Sequence, residues 1–226
     1  MHRITWAAFA AGLFFGEGYS TNAQPAPVAA AKASGPAKIA AADLQADAAL
    51  LRRVYGELHP GLFRYNTREQ MEANFASLDE SFRHDLTVRE AFLEISRFTA
   101  KIKCGHTQPN PYNQSKAVED AVFKRPDKLP LYFNWIDRRM IVTRDFSGNA
   151  AMKPGTEVLS INGTSARTIL DTLMTIARAD GSNDAKRVSL LSVTGSERYE
   201  TFDIYFPLLF PPRVPAFELK IRSSDA

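Results

Sequence analysis

Pro154-Gly155-Thr156-Glu157-Val158-Leu159-Ser160-Ile161-Asn162-Gly163 decides how this chain is read. Pro-Gly opens the stretch as a tight turn and Asn-Gly closes it as another. Between them the residues alternate, with Val158 and Ser160 on one face and Leu159 and Ile161 on the other, the period of a strand. Past Gly163 the period lengthens. Ile169, Leu170, Leu173 and Ile176 fall on one face of a helix. Strand, two-residue turn and amphipathic helix in succession describe one unit of a domain that mixes α and β.

Upstream, Asp43 to Ile102 is helical in pattern. Leu44, Ala48, Leu51, Tyr55 and Leu58 recur at spacings of four and three behind Asp43, the expected N-cap, and His59-Pro60-Gly61 ends that helix. Thr67 with Gln70, and Thr87 with Glu90, have the spacing of capping boxes, in which hydroxyl and side-chain carbonyl or carboxylate each take one orphan N–H. The first precedes Met71, Phe75, Leu78 and Phe82; the second precedes Phe92, Ile95, Thr99 and Ile102. Three such helices with short connections predict a small antiparallel bundle over residues 43–107.

The helical period stops after Ile102. Lys103 to Gln114 contains two prolines and a glycine and reads as loop, part of a connection over 108–127. Leu131 to Trp135 and Met140 to Thr143 read as paired strands around Asp137-Arg138-Arg139. Residues 180–212 carry little pattern and read as an insertion. Phe217, Leu219 and Ile221 alternate as a closing strand, followed by a polar tail over 223–226. The class is α+β, a helical bundle followed by a mostly β domain over 128–222.

Composition narrows the function. The 226 residues are 45% hydrophobic and 23% charged, as in an ordinary globular protein. A net charge of +3, carried by single and paired cations such as Arg52-Arg53, argues against a nucleic-acid partner. Met1-His2-Arg3, the apolar run Ile4 to Phe15 and the small residues Thr21-Asn22-Ala23 have the layout of a removable secretion signal over 1–23. That apolar run is 12 residues long, short of the roughly 20 that span a bilayer, so no membrane anchor is expected once it is removed. Ala- and Pro-rich residues 24–42 read as a linker, and the mature protein is expected in the periplasm or outside the cell. The single cysteine, Cys104, excludes an internal disulfide and reads as a small buried hydrophobe. His59, His84 and His106 show no metal-ligand spacing, so neither metal nor other cofactor is expected.

His106 is the candidate for chemistry. It follows a helix end in the Gly105-His106-Thr107 loop, where scaffold holds a side chain that can still reach a cleft. An imidazole there can take a proton from a hydroxyl and return it to a leaving group. Most loop histidines do no chemistry, and the neighbourhood is what singles this one out. The segment Glu157 to Gly163 before a helix resembles the second half of a PDZ-type module. A bundle ending in Gly-His-Thr and followed by that module is similar to the front half of the tricorn-type, C-terminal-processing serine peptidases, over about Asp43 to Arg222. The resemblance implies an exported endopeptidase acting on polypeptides, with His106 as general base; related members often carry an acidic residue where Cys104 stands. It also implies a nucleophilic serine in an α/β core after the PDZ-like module, and no Gly-x-Ser-x-Gly elbow occurs in these residues. The chain alone is therefore expected to be inactive. Leu131, Tyr132 and Phe133 stand where a PDZ module grips peptide, although Pro130 lacks the N–H a carboxylate-binding nest needs. The other reading is a non-catalytic module of the same architecture that binds a peptide ligand.

Overall fold

The computed structural model describes residues 2–7, 37–112, 114–124, 127–211 and 216–223. Its architecture is α+β. The elements run β1 (His2–Ala7), β2 (Lys38–Ile39), α1 (Ala41–Leu58), α2 (Arg68–Ser81), β3 (Leu86–Thr87), α3 (Val88–Ile102), α4 (Lys116–Val118), a π-helical turn (Glu119–Phe123), β4 (Leu131–Ile136), β5 (Arg139–Asp145), β6 (Glu157–Ile161), β7 (Thr164–Ser165), α5 (Ala166–Met174), α6 (Asp184–Leu190), α7 (Thr201–Leu209) and β8 (Ala216–Arg222).

Both capping boxes form. Thr67 and Thr87 each accept from the amide three residues on, and Gln70 and Glu90 each reach back to the N-cap N–H. Asp43 does not cap α1, which begins two residues earlier. Ala40 is the N-cap and has no side-chain acceptor, so Asp85 takes the Ala41 N–H at 2.9 Å and Asp43 sits in the first turn. The end of the stretch read as linker is thereby structured, with β2 paired to β3 just before α1. Arg52 ties α1 to α2 by bonding both Glu72 and Asp79.

The main sheet runs β1-β8-β6-β5-β4, antiparallel throughout, with β7 beside β6. The Asp137-Arg138 turn between β4 and β5 has positive φ at both residues, as does Asn162-Gly163, the geometry a two-residue hairpin favours. Strand β6 departs from simple alternation. Its pairing with β8 slips between Val158 and Ser160, so Val158 and Ile161, three apart, are both buried. A bulge restores the core face that strict alternation denies them. His2–Ala7, within the stretch read as secretion signal, pairs along β8. The rest of that stretch, residues 8–23, lies outside the described residues.

Residues 180–212 are not a patternless insertion. They hold α6 and α7, and Phe202, Tyr205 and Phe206 of α7 enter the core beneath the sheet. Helix α7 is apolar around most of its circumference, so it shows no amphipathic period to read. The connection over 108–127 likewise carries α4 and the π-helical turn, and buries Val122 and Phe123. No helix among the described residues is long and apolar enough to cross a membrane.

Among the described residues the buried apolar side chains form two clusters. One joins α1, α2 and part of α3, through Leu44, Phe75, Phe98 and Ile102. The other joins the sheet to α5 and α7, and takes in Phe92 and Leu93 of α3. Helix α3 thus serves both.

Asp203, in the first turn of α7, gives the fold a pH dependence. Its side chain is 12% exposed and 3.4 Å from Lys128 Nζ. Burial pushes the carboxyl up to about 6, opposed by Lys128 and reinforced by Glu200. A carboxyl raised in this way binds more protons folded than unfolded between about pH 4 and 6. Stability from this group is therefore full below about pH 4 and falls as pH rises through 6, by about 3 kcal/mol once ionised. Asp203→Asn is expected to remove that decline, read as urea midpoints across the same range. An unchanged slope in the variant refutes the assignment.

Candidate functional site

The loop bearing His106 is fixed by its backbone. Helix α3 ends at Lys103 in the left-handed region, φ 60°, which turns the chain sharply out of the helix. The Lys103 carbonyl then accepts from Gly181 N–H at 2.9 Å. Gly105 N–H donates to Asp180 Oδ1 at 2.9 Å, and the Gly105 carbonyl accepts from Arg178 at 3.3 Å. A Cβ at Gly105 would lie 2.8 Å from Asp180 Oδ2, so a larger residue there would push that carboxylate aside. Buried Arg187 in turn holds the 177–181 segment, donating to the carbonyls of Ala177 and Gly181.

Thr107 anchors the other side. It is buried, and its Oγ1 lies 2.8 Å from His59 Nε2. His59 Nδ1 accepts from Gly61 N–H at 3.2 Å, so the neutral ring carries its proton on Nε2 and donates to Thr107. Both nitrogens of His59 are engaged, and its ring lies 5.5 Å from that of Tyr55. Burial raises the Tyr55 hydroxyl above its usual range, and the nearby charge of Cys104 adds to it.

His106 differs from His59 in every respect that matters for chemistry. Its side chain is exposed, and its ring makes no hydrogen bond to any described residue. Cys104 Sγ, a His106 ring nitrogen and an Asp180 carboxylate oxygen lie within 4.8 Å of one another. These three groups, with His59, Arg64 and Tyr65, line an open cleft of about 680 Å³. A base with free lone pairs and a rigid backbone at the rim of a cleft can accept a proton from a group delivered there. The sequence singled out His106 and separated it from Asp180, 74 positions away; no local motif marks Asp180 as its neighbour. Cys104, read as a buried hydrophobe, is only half-buried and faces the same cleft.

The residues expected to grip peptide lie elsewhere. Leu131 and Phe133 are buried in the sheet core, at 1% and 0% exposure. Tyr132 packs edge-on against Phe146, and a Cβ at Gly195 would strike its ring. The free side of β4 is already taken, since Phe133 and Val193 exchange backbone hydrogen bonds of 2.9 and 3.0 Å. A peptide strand added there would have to displace residues 192–194. Ser189, Ser192 and Ser196 line a separate cavity of about 260 Å³, whose lining includes no histidine or lysine. Ser192 Oγ accepts from Trp135 N–H at 3.2 Å, and Ser196 pairs with Thr194. No protein-family model, curated protein or solved structure matches the chain.

Proposed function

We propose that this chain is the N-terminal region of an exported serine-type endopeptidase acting on polypeptides, with His106 as general base toward a serine carried by another segment. One observation carries the reading. The His106 imidazole is exposed and bonds to none of the described residues, yet it stands on a loop locked through Lys103, Gly105 and Thr107 at the rim of a cleft. A histidine serving the fold has its nitrogens committed, as His59 does; one serving a reactant needs them free and its backbone still. Asp180, whose carboxylate is fixed by Gly105 N–H, is placed to orient the ring once a substrate hydroxyl approaches. Ser192 and Ser196 are hydrogen-bonded within the fold, and the cavity they share with Ser189 has no histidine or lysine in its lining.

The test is labelling with a serine-directed phosphonate. In the enzyme containing this segment, the reagent is expected to modify one serine outside residues 1–226 and to stop cleavage of an unfolded polypeptide. Residues 24–226 alone are expected to be neither labelled nor active. Modification of Ser189, Ser192 or Ser196 in the isolated chain, or no labelling in an active enzyme, overturns the proposal.

A further inference from the structure

Cys104, His106 and Asp180 present three different ligand chemistries at one point: a thiol, an imidazole and a carboxylate, their donor atoms all within 4.8 Å of one another. We infer that they form a zinc site, with a fourth position open to water from the cleft. Tetrahedral zinc bonds of about 2.0–2.3 Å place neighbouring ligand atoms about 3.5 Å apart. The site therefore requires its ligand atoms to draw together by about 1 Å as the metal binds. The mixed sulfur, nitrogen and oxygen set suits Zn²⁺ and disfavours the hard cations Mg²⁺ and Ca²⁺, which seek oxygen alone.

The surroundings are those of a built site. Asp180 has one oxygen held by Gly105 N–H at 2.9 Å, leaving the other to coordinate, and such an outer hydrogen bond is the usual support of a ligating carboxylate. Gly105 leaves no room for a Cβ between the loop and that carboxylate. Arg187 fixes the Asp180 segment and Lys103 the Cys104 segment, so ligands from two distant stretches of chain meet on braced backbone. A thiolate and a carboxylate together neutralise the dication, and the thiol proton leaves as the metal binds. His59, in the same cleft, is not the fourth ligand, because both its nitrogens are bonded within the protein. Three protein ligands and water make an open coordination sphere rather than a closed structural one. The site stands independently of the peptidase reading. One consequence rests on that reading: the lone pair His106 gives to zinc is the one a base needs, so metal and proton transfer exclude each other.

Cobalt titration of the reduced full chain, without substrate, tests the site. One Co²⁺ per chain is expected to bind with thiolate-to-metal charge transfer in the near ultraviolet, and Zn²⁺ to displace it. Cys104→Ser is expected to abolish the charge-transfer band. His106→Ala and Asp180→Asn should each weaken Zn²⁺ binding by at least about tenfold. Asp180→Asn keeps an oxygen for Gly105 N–H, so its effect reads the lost ligand and not a collapsed loop. His84→Ala, an exposed histidine outside the cleft, serves as the control and should bind as before. Absence of the charge-transfer band, or Zn²⁺ affinity unchanged by the three substitutions, overturns the site. Either result leaves phosphonate labelling, and with it the peptidase reading, unaffected.

Discussion

His106→Ala in the enzyme containing this segment is expected to reduce turnover by at least about 10²–10⁴-fold, the usual loss when a positioned proton acceptor is removed. Stability should barely move. The ring is exposed and has no hydrogen bond to the described residues, and surface changes of that kind stay within about 0.5 kcal/mol. His59→Ala is the informative contrast. It removes the partner of buried Thr107 and the acceptor for Gly61 N–H, so it should cost about 1–3 kcal/mol of stability. Its effect on turnover should follow only from loosening the loop that carries His106. His84→Ala should alter neither quantity. The measurements are kcat on an unfolded polypeptide and the urea midpoint, made on the same preparations. Near-normal turnover in His106→Ala would move the chemistry to another base, such as a lysine beside the serine.

The separation of those two histidines shows where sequence reading stops. Local patterns were legible wherever one face of an element carried the signal. Thr67 with Gln70 and Thr87 with Glu90 cap their helices as their spacing implies, and Phe217, Leu219 and Ile221 are buried on one face of β8. Asn162-Gly163 makes the turn its identity favours. Patterns failed where a tertiary partner supplied what the segment lacked. Ala40 cannot cap α1, and Asp85 of a distant turn does so instead. Leu159 bulges out of register, which rotates Ile161 onto the core face. Helix α7 is buried on several sides and so loses the polar face that would have revealed its period.

The candidate site divides in the same way. His106 stood out because the Gly105-His106-Thr107 triplet follows a helical bundle and precedes the Glu157 to Gly163 segment, an order legible along the chain. Its relation to Asp180 is non-local, set by Arg187 and by the close approach at Gly105. Nothing in Asp180-Gly181-Ser182 announces that the carboxylate will meet a loop 75 residues earlier. The metal question shows the consequence most plainly. Ligand spacing along the chain gave no support for a site, because only Cys104 and His106 are neighbours in sequence and the third ligand arrives through the fold.

Phe92→Ala is the second substitution with a large expected effect, and it asks whether the bundle is a separate unit. Phe92 lies on α3, whose Phe98 and Ile102 belong to the helical cluster. Its own ring belongs to the sheet cluster, edge-on to Phe123 at 5.3 Å and stacked on Tyr205 at 5.7 Å. Tyr205 donates to Ser96 at 3.1 Å and Ser96 to the Phe92 carbonyl at 2.6 Å, so a buried polar chain fastens α3 to α7. Removing the ring should cost about 3–5 kcal/mol, the range for large aromatic truncations in packed cores. Because α3 completes both clusters, that loss should be felt in each. Amides of α2, whose buried residues belong to the other cluster, should lose hydrogen-exchange protection together with those of β5 and β6, by about 10²–10⁴-fold in both. Loss confined to the sheet, with α2 protection intact, would mean that the bundle folds by itself and that α3 merely rests against the sheet. Common loss would make the sheet the rigid mount for His106, since the loop that carries it begins at Lys103, directly after buried Ile102.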